Sequence, residues 1–162
     1  MTGTANSAIA VFLGKKINGT VRFSEDPSSK MVAIDVDISG LSKNALHGFH
    51  VHEYGDMSEQ CESMCAHFNP FNEIHGCPGA RHRHVGDLGN LKTDQNGVAK
   101  YRFYDEAIRL RGSKSNIIGR GLIIHADADD CGMGENDASR LNGNAGKRIA
   151  CSVIGHCAPF PA

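Results

Sequence analysis

Seven side chains in this sequence have the types and spacing to hold metal: His50, His52, His67, His75, His84, Asp87 and His125. In Gly48-Phe49-His50-Val51-His52-Glu53, the period of two in an extended chain puts both imidazoles on one face and Phe49 and Val51 on the other. Such a pair is half of a nitrogen-rich metal site, although two exposed strand histidines would look the same. His84 and Asp87 bracket Val85-Gly86, and Gly86 allows the tight turn that returns a carboxylate to its neighbour. His125 closes the apolar run Leu122-Ile123-Ile124. Six His and one Asp fill two four-ligand shells only if one imidazole loses both ring protons and bridges two metals. A hard, anionic Asp87 suits zinc and an all-imidazole shell suits copper. Spacing alone does not assign the partition. His47, His82 and His156 fit neither set and read as packing or surface residues.

The elements that must carry these ligands are strands. Val32, Ile34, Val36 and Ile38 alternate with Ala33, Asp35, Asp37 and Ser39, and Ile17, Gly19, Val21 and Phe23 share one face of an earlier strand. Ala99, Tyr101 and Phe103 alternate with Lys100, Arg102 and Tyr104. Segments 121–125 and 149–154 are short, β-rich and apolar, as buried strands are. Turn signals at Pro27-Ser28-Ser29, Asp94-Gln95-Asn96-Gly97 and Gly112-Ser113 separate them, and helical periodicity is hard to find. The pattern predicts an all-β antiparallel sandwich or barrel. Residues 53–89 and 126–147 lack periodicity and are rich in Gly, Asp, Asn and His, which predicts two long functional loops.

Composition narrows the rest. The chain has 162 residues, which fits one domain spanning 1–162. A near-balance of 17 Lys+Arg against 18 Asp+Glu advertises no nucleic-acid partner. No apolar run is long enough for a membrane span. Met1 to Ser7 shows no secretory signal, so a cytoplasmic protein is expected and its six cysteines are expected as thiols. Asn18-Gly19-Thr20 then reads as turn chemistry rather than a glycosylation site.

The segments 48–53, His67-Phe68-Asn69-Pro70, His84-Val85-Gly86-Asp87-Leu88-Gly89-Asn90, Ile117-Ile118-Gly119-Arg120, Asp129-Asp130, and Gly143-Asn144-Ala145-Gly146 with Arg148-Ile149-Ala150-Cys151 resemble the copper/zinc superoxide dismutase family, eukaryotic type. The likeness runs in order from about residue 8 to 156. It implies an eight-stranded Greek-key β-barrel or immunoglobulin-like sandwich. The implied reaction is disproportionation of superoxide to hydrogen peroxide and dioxygen at a catalytic copper beside a structural zinc. By the resemblance, His50, His52, His67 and His125 are copper ligands. His67, His75, His84 and Asp87 are zinc ligands, with His67 as the bridging imidazolate. Asp129 is the carboxylate linking a zinc His to a copper His. Arg148 is the arginine that attracts and orients the anionic substrate, with His67 and Arg148 acting in catalysis. Superoxide dismutase is itself an established instance of steered, diffusion-limited turnover.

The resemblance also implies a Cys61–Cys151 disulfide, an exception to the cytosolic rule, worth about 4–5 kcal/mol in the chain-entropy picture. Cys65, four residues from Cys61, is expected as a buried free thiol, the alternatives being a competitor for Cys151 or a redox-sensitive thiol; Cys131 is expected as a small packed hydrophobe, and Cys77 and Cys157 are unassigned. Leu141 and Asp127 stand where lysines are common, Ala138 where an acid is frequent, and Asn142 where a threonine usually flanks the channel. Arg140 is a candidate substitute cation, and active turnover with a weakened or altered salt dependence is expected. A homodimer is implied, with Tyr54, Ile118, Gly119, Val153 and His156 at positions near its interface, and a copper chaperone as a further partner. The alternative is a metal-binding or copper-delivery domain without turnover, which the intact ligand set disfavours. A zinc hydrolase needs an open zinc position, which three His and Asp87 close.

Overall fold

The computed structural model describes residues 6–112 and 114–160, so the Met1–Ala5 start of the chain and Ser113 of the Gly112-Ser113 turn lie outside the described residues. In chain order the strands are β1 (Asn6–Leu13), β2 (Asn18–Glu25), β3 (Val32–Ser39), β4 (Leu46–His52), β5 (Asp87–Lys92), β6 (Ala99–Asp105), β7 (Gly121–His125), β8 (Arg148–Val153) and the two-residue β9 (Gly155–His156). They form two antiparallel sheets, ordered β6-β3-β2-β1-β9 and β5-β4-β7-β8. The chain crosses between sheets after β3, β5, β6 and β8, so β6 lies beside β3 and not beside a sequence neighbour. The expected all-β class, with eight principal strands, is what the chain adopts.

Alternation builds the core between the sheets. Val32, Ile34, Val36 and Ile38 are buried in β3, and β2 lies against it in register from Asn18↔Ser39 to Glu25↔Val32. Phe49 and Val51 enter from β4, and Leu122 and Ile124 from β7. Burying one such side chain is worth roughly 1.5–3 kcal/mol, so this interior stiffens the second sheet, which carries the candidate ligands. All five residues of β7 are buried. It is flanked by β4 and β8, faces the core on one side and lies under the loops on the other.

Four elements depart from the sequence reading: the two-residue β9, β5, which begins at Asp87 inside the segment 53–89 read as a loop, β1 and α1. β1 precedes the first strand that reading finds, because Ala8 and Ala10 alternate with Ile9 and Val11 but carry little β signal. The second long loop contains a short helix, α1 (Asp137–Asn142), where no helix is expected. Its caps are explicit: the Asn136 side chain accepts from Ser139 N, and Gly143 ends the helix at φ 72°.

Candidate metal centre

All four strands of the second sheet contribute to one end of its outer face. β5 supplies Asp87, β4 supplies His50 and His52, β7 supplies His125 and β8 supplies Arg148. His50 stands opposite Asp87, and His125 opposite Arg148, each beside a register shift. Because Phe49 and Val51 belong to the core cluster, alternation sends His50 and His52 away from it. The first long loop then folds over them. A backbone circuit links Val51 N to Gly86 O (2.8 Å), Gly86 N to Phe68 O (3.0 Å) and Phe68 N to Val51 O (2.8 Å). Gly86 sits so close to Val51 O and Phe68 N that a Cβ would collide with them. This circuit seats His67, His84 and Asp87 beside the strand histidines.

The ligand atoms of His50, His52, His67 and His125 lie within 4.8 Å of one another, as do those of His67, His75, His84 and Asp87. His67 belongs to both sets. Hydrogen bonds show which ring nitrogens are free. A carbonyl oxygen only accepts, so His52 Nδ1 donates to Cys65 O (2.8 Å) and His125 Nδ1 donates to Gly146 O (3.1 Å). His50 Nε2 is bound instead to Asp129 Oδ2 at 2.6 Å. In neutral rings this leaves lone pairs on His50 Nδ1, His52 Nε2 and His125 Nε2. These three atoms and His67 Nε2 are buried with no hydrogen-bond partner. Burial lowers His50 to a pKa of about 3 and His125 to about 4, and holds His52 well below its ordinary value, so the rings stay neutral. Four convergent, neutral, orphaned imidazole nitrogens fit a copper ion.

The second set is organised around one oxygen. Asp87 Oδ1 lies 2.9 Å from His67 Nδ1, 3.0 Å from His75 Nδ1 and 3.1 Å from His84 Nδ1. His75 Nδ1 nonetheless makes no hydrogen bond. Three imidazole nitrogens crowded on one carboxylate oxygen fit a shared cation better than three hydrogen bonds, and the donor set suits zinc. Burial pushes the Asp87 carboxyl up, but the close approach of the His67, His75 and His84 rings outweighs it and holds the group far below the carboxylate range. Burial likewise lowers His75, yet the carboxylates of Asp129 and Asp87 outweigh it and raise the ring to about 9.

Asp129 spans the two sets. Its Oδ2 meets His50 Nε2 at 2.6 Å and its Oδ1 meets His75 Nε2 at 2.8 Å, so one carboxylate orients two rings. Gly143 makes room for it, because a Cβ there would strike the carboxylate. The Asp129 backbone is anchored to β5 through both ends of the Asn90 amide, at 2.7 and 3.0 Å.

The cysteines depart most from expectation. Cys61 and Cys151 are joined, as the resemblance implies. Cys77 and Cys131 form a second disulfide. Cys131 is therefore not a packed free thiol, since the two loops approach closely enough beside His75 and Asp129 to couple it. Cys65 is exposed rather than buried, because the turn after Glu62–Met64 points its side chain outward. Its backbone adopts φ 60°, a strained choice for a non-glycine residue, and its carbonyl accepts from both His52 and Arg148. His82 lies on the surface with Glu73. His47 is buried and donates from Nδ1 to the carbonyl of His125 at 2.8 Å, a support for that ligand's backbone which spacing alone could not reveal.

Arg148 completes the site. Its guanidinium donates to Cys61 O at 2.9 Å and to Cys65 O at 2.6 Å. It lines an open cavity with His52, His67, His125, Leu141 and Asn142, and is the cation among those side chains. Arg140 and Asp127 are exposed nearby in the chain, on α1 and after β7.

Comparison with known proteins accords with this geometry. The copper/zinc superoxide dismutase family profile matches residues 17–154. The chain is similar to the Cu-Zn superoxide dismutase of Paramecium bursaria Chlorella virus 1, 60% identical over 150 residues covering 93% of this chain and 78% of the viral one. It is similar to the Saccharomyces cerevisiae enzyme of the same name at 48% over 149 residues, covering 91% and 96%. Among solved structures it resembles the clock protein EA4, with a TM-score of 0.90, 42% identity and coverage of 95% and 96%. The chain belongs to the copper/zinc superoxide dismutase family.

Proposed function

We propose that this chain's superoxide dismutation runs at the four-histidine pocket, with His50, His52, His67 and His125 holding copper and His67, His75, His84 and Asp87 holding zinc. The observation that carries the assignment is the set of four buried, unpartnered ring nitrogens converging beside a second pocket that shares His67. When bound, copper supplies the one-electron redox step that two superoxide anions and two protons need to give dioxygen and hydrogen peroxide, and zinc supplies a fixed charge.

The protein groups do the rest. His67 presents Nε2 to one pocket and Nδ1 to the other, so it is the side chain that can hold a proton at Nε2 and give it up to the product. Arg148, pinned by two carbonyls, draws the anionic substrate into the cavity and orients it. Asp129 binds Nε2 of both His50 and His75, which turns their Nδ1 atoms toward the two pockets. Burial keeps competing water and protons off the ring nitrogens.

A homodimer belongs to the same proposal, supported by the half-exposed Tyr54 and Val153 at the expected interface positions. So do a copper chaperone as loading partner and a cytoplasmic location, the latter supported by the exposed free thiol of Cys65. Among the described residues no helix is long and apolar enough to cross a membrane. Anomalous diffraction at the copper and zinc edges tests the assignment. Copper at the four-histidine pocket and zinc beside Asp87 are expected; the reverse occupancy contradicts it.

A further inference from the structure

We propose that the Cys77–Cys131 disulfide is a clamp on the zinc pocket: closed, it slows zinc release, and a dithiol reductant opens it. The inference rests on the assignment of zinc to the pocket around Asp87. Cys77 lies two residues after His75 and Cys131 two after Asp129. The His75–Asp129 hydrogen bond (2.8 Å) and the disulfide therefore close a small ring of residues 75–77 and 129–131. Breaking that hydrogen bond alone cannot separate the two segments.

Both amides next in line serve the pocket. Gly76 N donates to Asp87 Oδ2 at 3.0 Å, and Cys131 N donates to Asp129 Oδ1 at 2.7 Å. The disulfide thus fixes one ligand, His75, and the donors that hold the two carboxylates around it. One side of the ring is a firm post, because Asp129 is bound to Asn90 of β5 through its own N–H and C=O. The other side, residues 75–77, lies far along a loop whose other covalent tie is at Cys61. Apart from the ring, His75 N donating to Arg140 O (2.9 Å) is what holds that segment to the second loop. Without the clamp, opening the pocket costs only a few hydrogen bonds.

The chemistry balances simply. A dithiol gives two electrons and two protons and becomes a disulfide, while Cys77–Cys131 becomes two thiols. Both cysteines are partly exposed, so a small dithiol can reach them.

The test compares wild type with the Cys77→Ser/Cys131→Ser variant, which keeps Cys61–Cys151. Both are loaded with copper and zinc and checked by elemental analysis, and release of each metal to a chromophoric chelator is timed. Zinc is expected to leave the variant about tenfold faster, equivalent to ~1.4 kcal/mol, with copper release changed much less. Unchanged zinc release overturns the clamp, and so does equal acceleration of both metals, which marks general destabilisation. Wild type that binds no zinc contradicts the metal assignment and the clamp together; wild type that binds zinc leaves the comparison to decide the clamp alone. Wild type under rising dithiol gives a second reading if the variant does not fold. With freed thiols labelled and mapped by mass, zinc release is expected to follow labelling of Cys77 and Cys131. Release that follows Cys61 and Cys151, or follows neither pair, overturns the proposal.

Discussion

Arg148 and His52 are bound to the same atom. The carbonyl of Cys65 accepts the Arg148 guanidinium at 2.6 Å and His52 Nδ1 at 2.8 Å. One peptide group thus sets both the Arg148 cation that lines the cavity and the His52 ring whose unpartnered Nε2 faces the four-histidine pocket. Residue 65 holds φ 60° to aim that carbonyl, and the Cys61–Cys151 disulfide fastens the turn before it.

Replacing Arg148 with Ala removes the cation from the cavity without touching a metal ligand. Metal content is expected to stay whole while the second-order rate constant for superoxide falls about tenfold to a hundredfold. Arg148→Lys should recover part of the loss, since an ammonium attracts the anion but cannot bridge both carbonyls. Pulse radiolysis of metal-verified samples measures this. An unchanged rate in Arg148→Ala contradicts the role given to it.

The cavity carries little further positive charge. Leu141 and Asn142 line it, and Asp127 is exposed after β7. A shallow fall in rate with ionic strength is therefore expected, and Leu141→Lys should raise the low-salt rate and steepen the slope. A wild-type rate that rises with salt would show a repulsive field and contradict this reading.

Asp129→Asn keeps the shape but cannot accept from both His50 and His75 as a carboxylate does. Zinc affinity is expected to drop about 10–100-fold, the usual cost of losing such a partner, with the Cys77–Cys131 bond intact. Competition with a chelator of known affinity reads it directly. Equal affinity in the two proteins would remove Asp129 from the support of the zinc pocket.

Much of this is legible in the sequence, for reasons that are physical. His50 and His52 can be read because a period of two separates them from Phe49 and Val51 whatever the rest of the fold does. The His84-Val85-Gly86-Asp87 turn can be read because it is local. The sharing of His67 cannot be read from spacing, since it depends on where a long loop folds back; only the family resemblance carries it. Cys77–Cys131 escapes the sequence because its partners are 54 residues apart and meet only when both loops close over the metal pockets. α1 is within reach, since Asn136 and Gly143 are plain cap residues, but six residues are too few to show a period. β1 is hidden by alanines that pack well and signal weakly.

Metal-free protein should lose stability in acid well above the carboxylate range. His50 and His125 have folded pKa values of about 3 and 4, against about 6.5 for an unfolded histidine. Below 6.5 the unfolded chain binds protons that the folded chain refuses, so their contribution is full above 6.5 and lost as pH falls toward 4. His75 runs the other way: raised to about 9, it stabilises below 6.5 and its contribution is lost as pH rises through 9. Maximum stability of the metal-free chain is expected near neutral pH. Urea midpoints at pH 5, 7 and 9 measure it; a flat profile would mean these rings are solvated in the absence of metal.

The central claim is that turnover belongs to the four-histidine pocket and needs copper there. The most direct measurement is superoxide decay on stripped protein reloaded with zinc alone, then with zinc and copper, at verified stoichiometry. Fast decay only after copper is added is the expected result. Fast decay with zinc alone, or none with both pockets filled, would contradict the account.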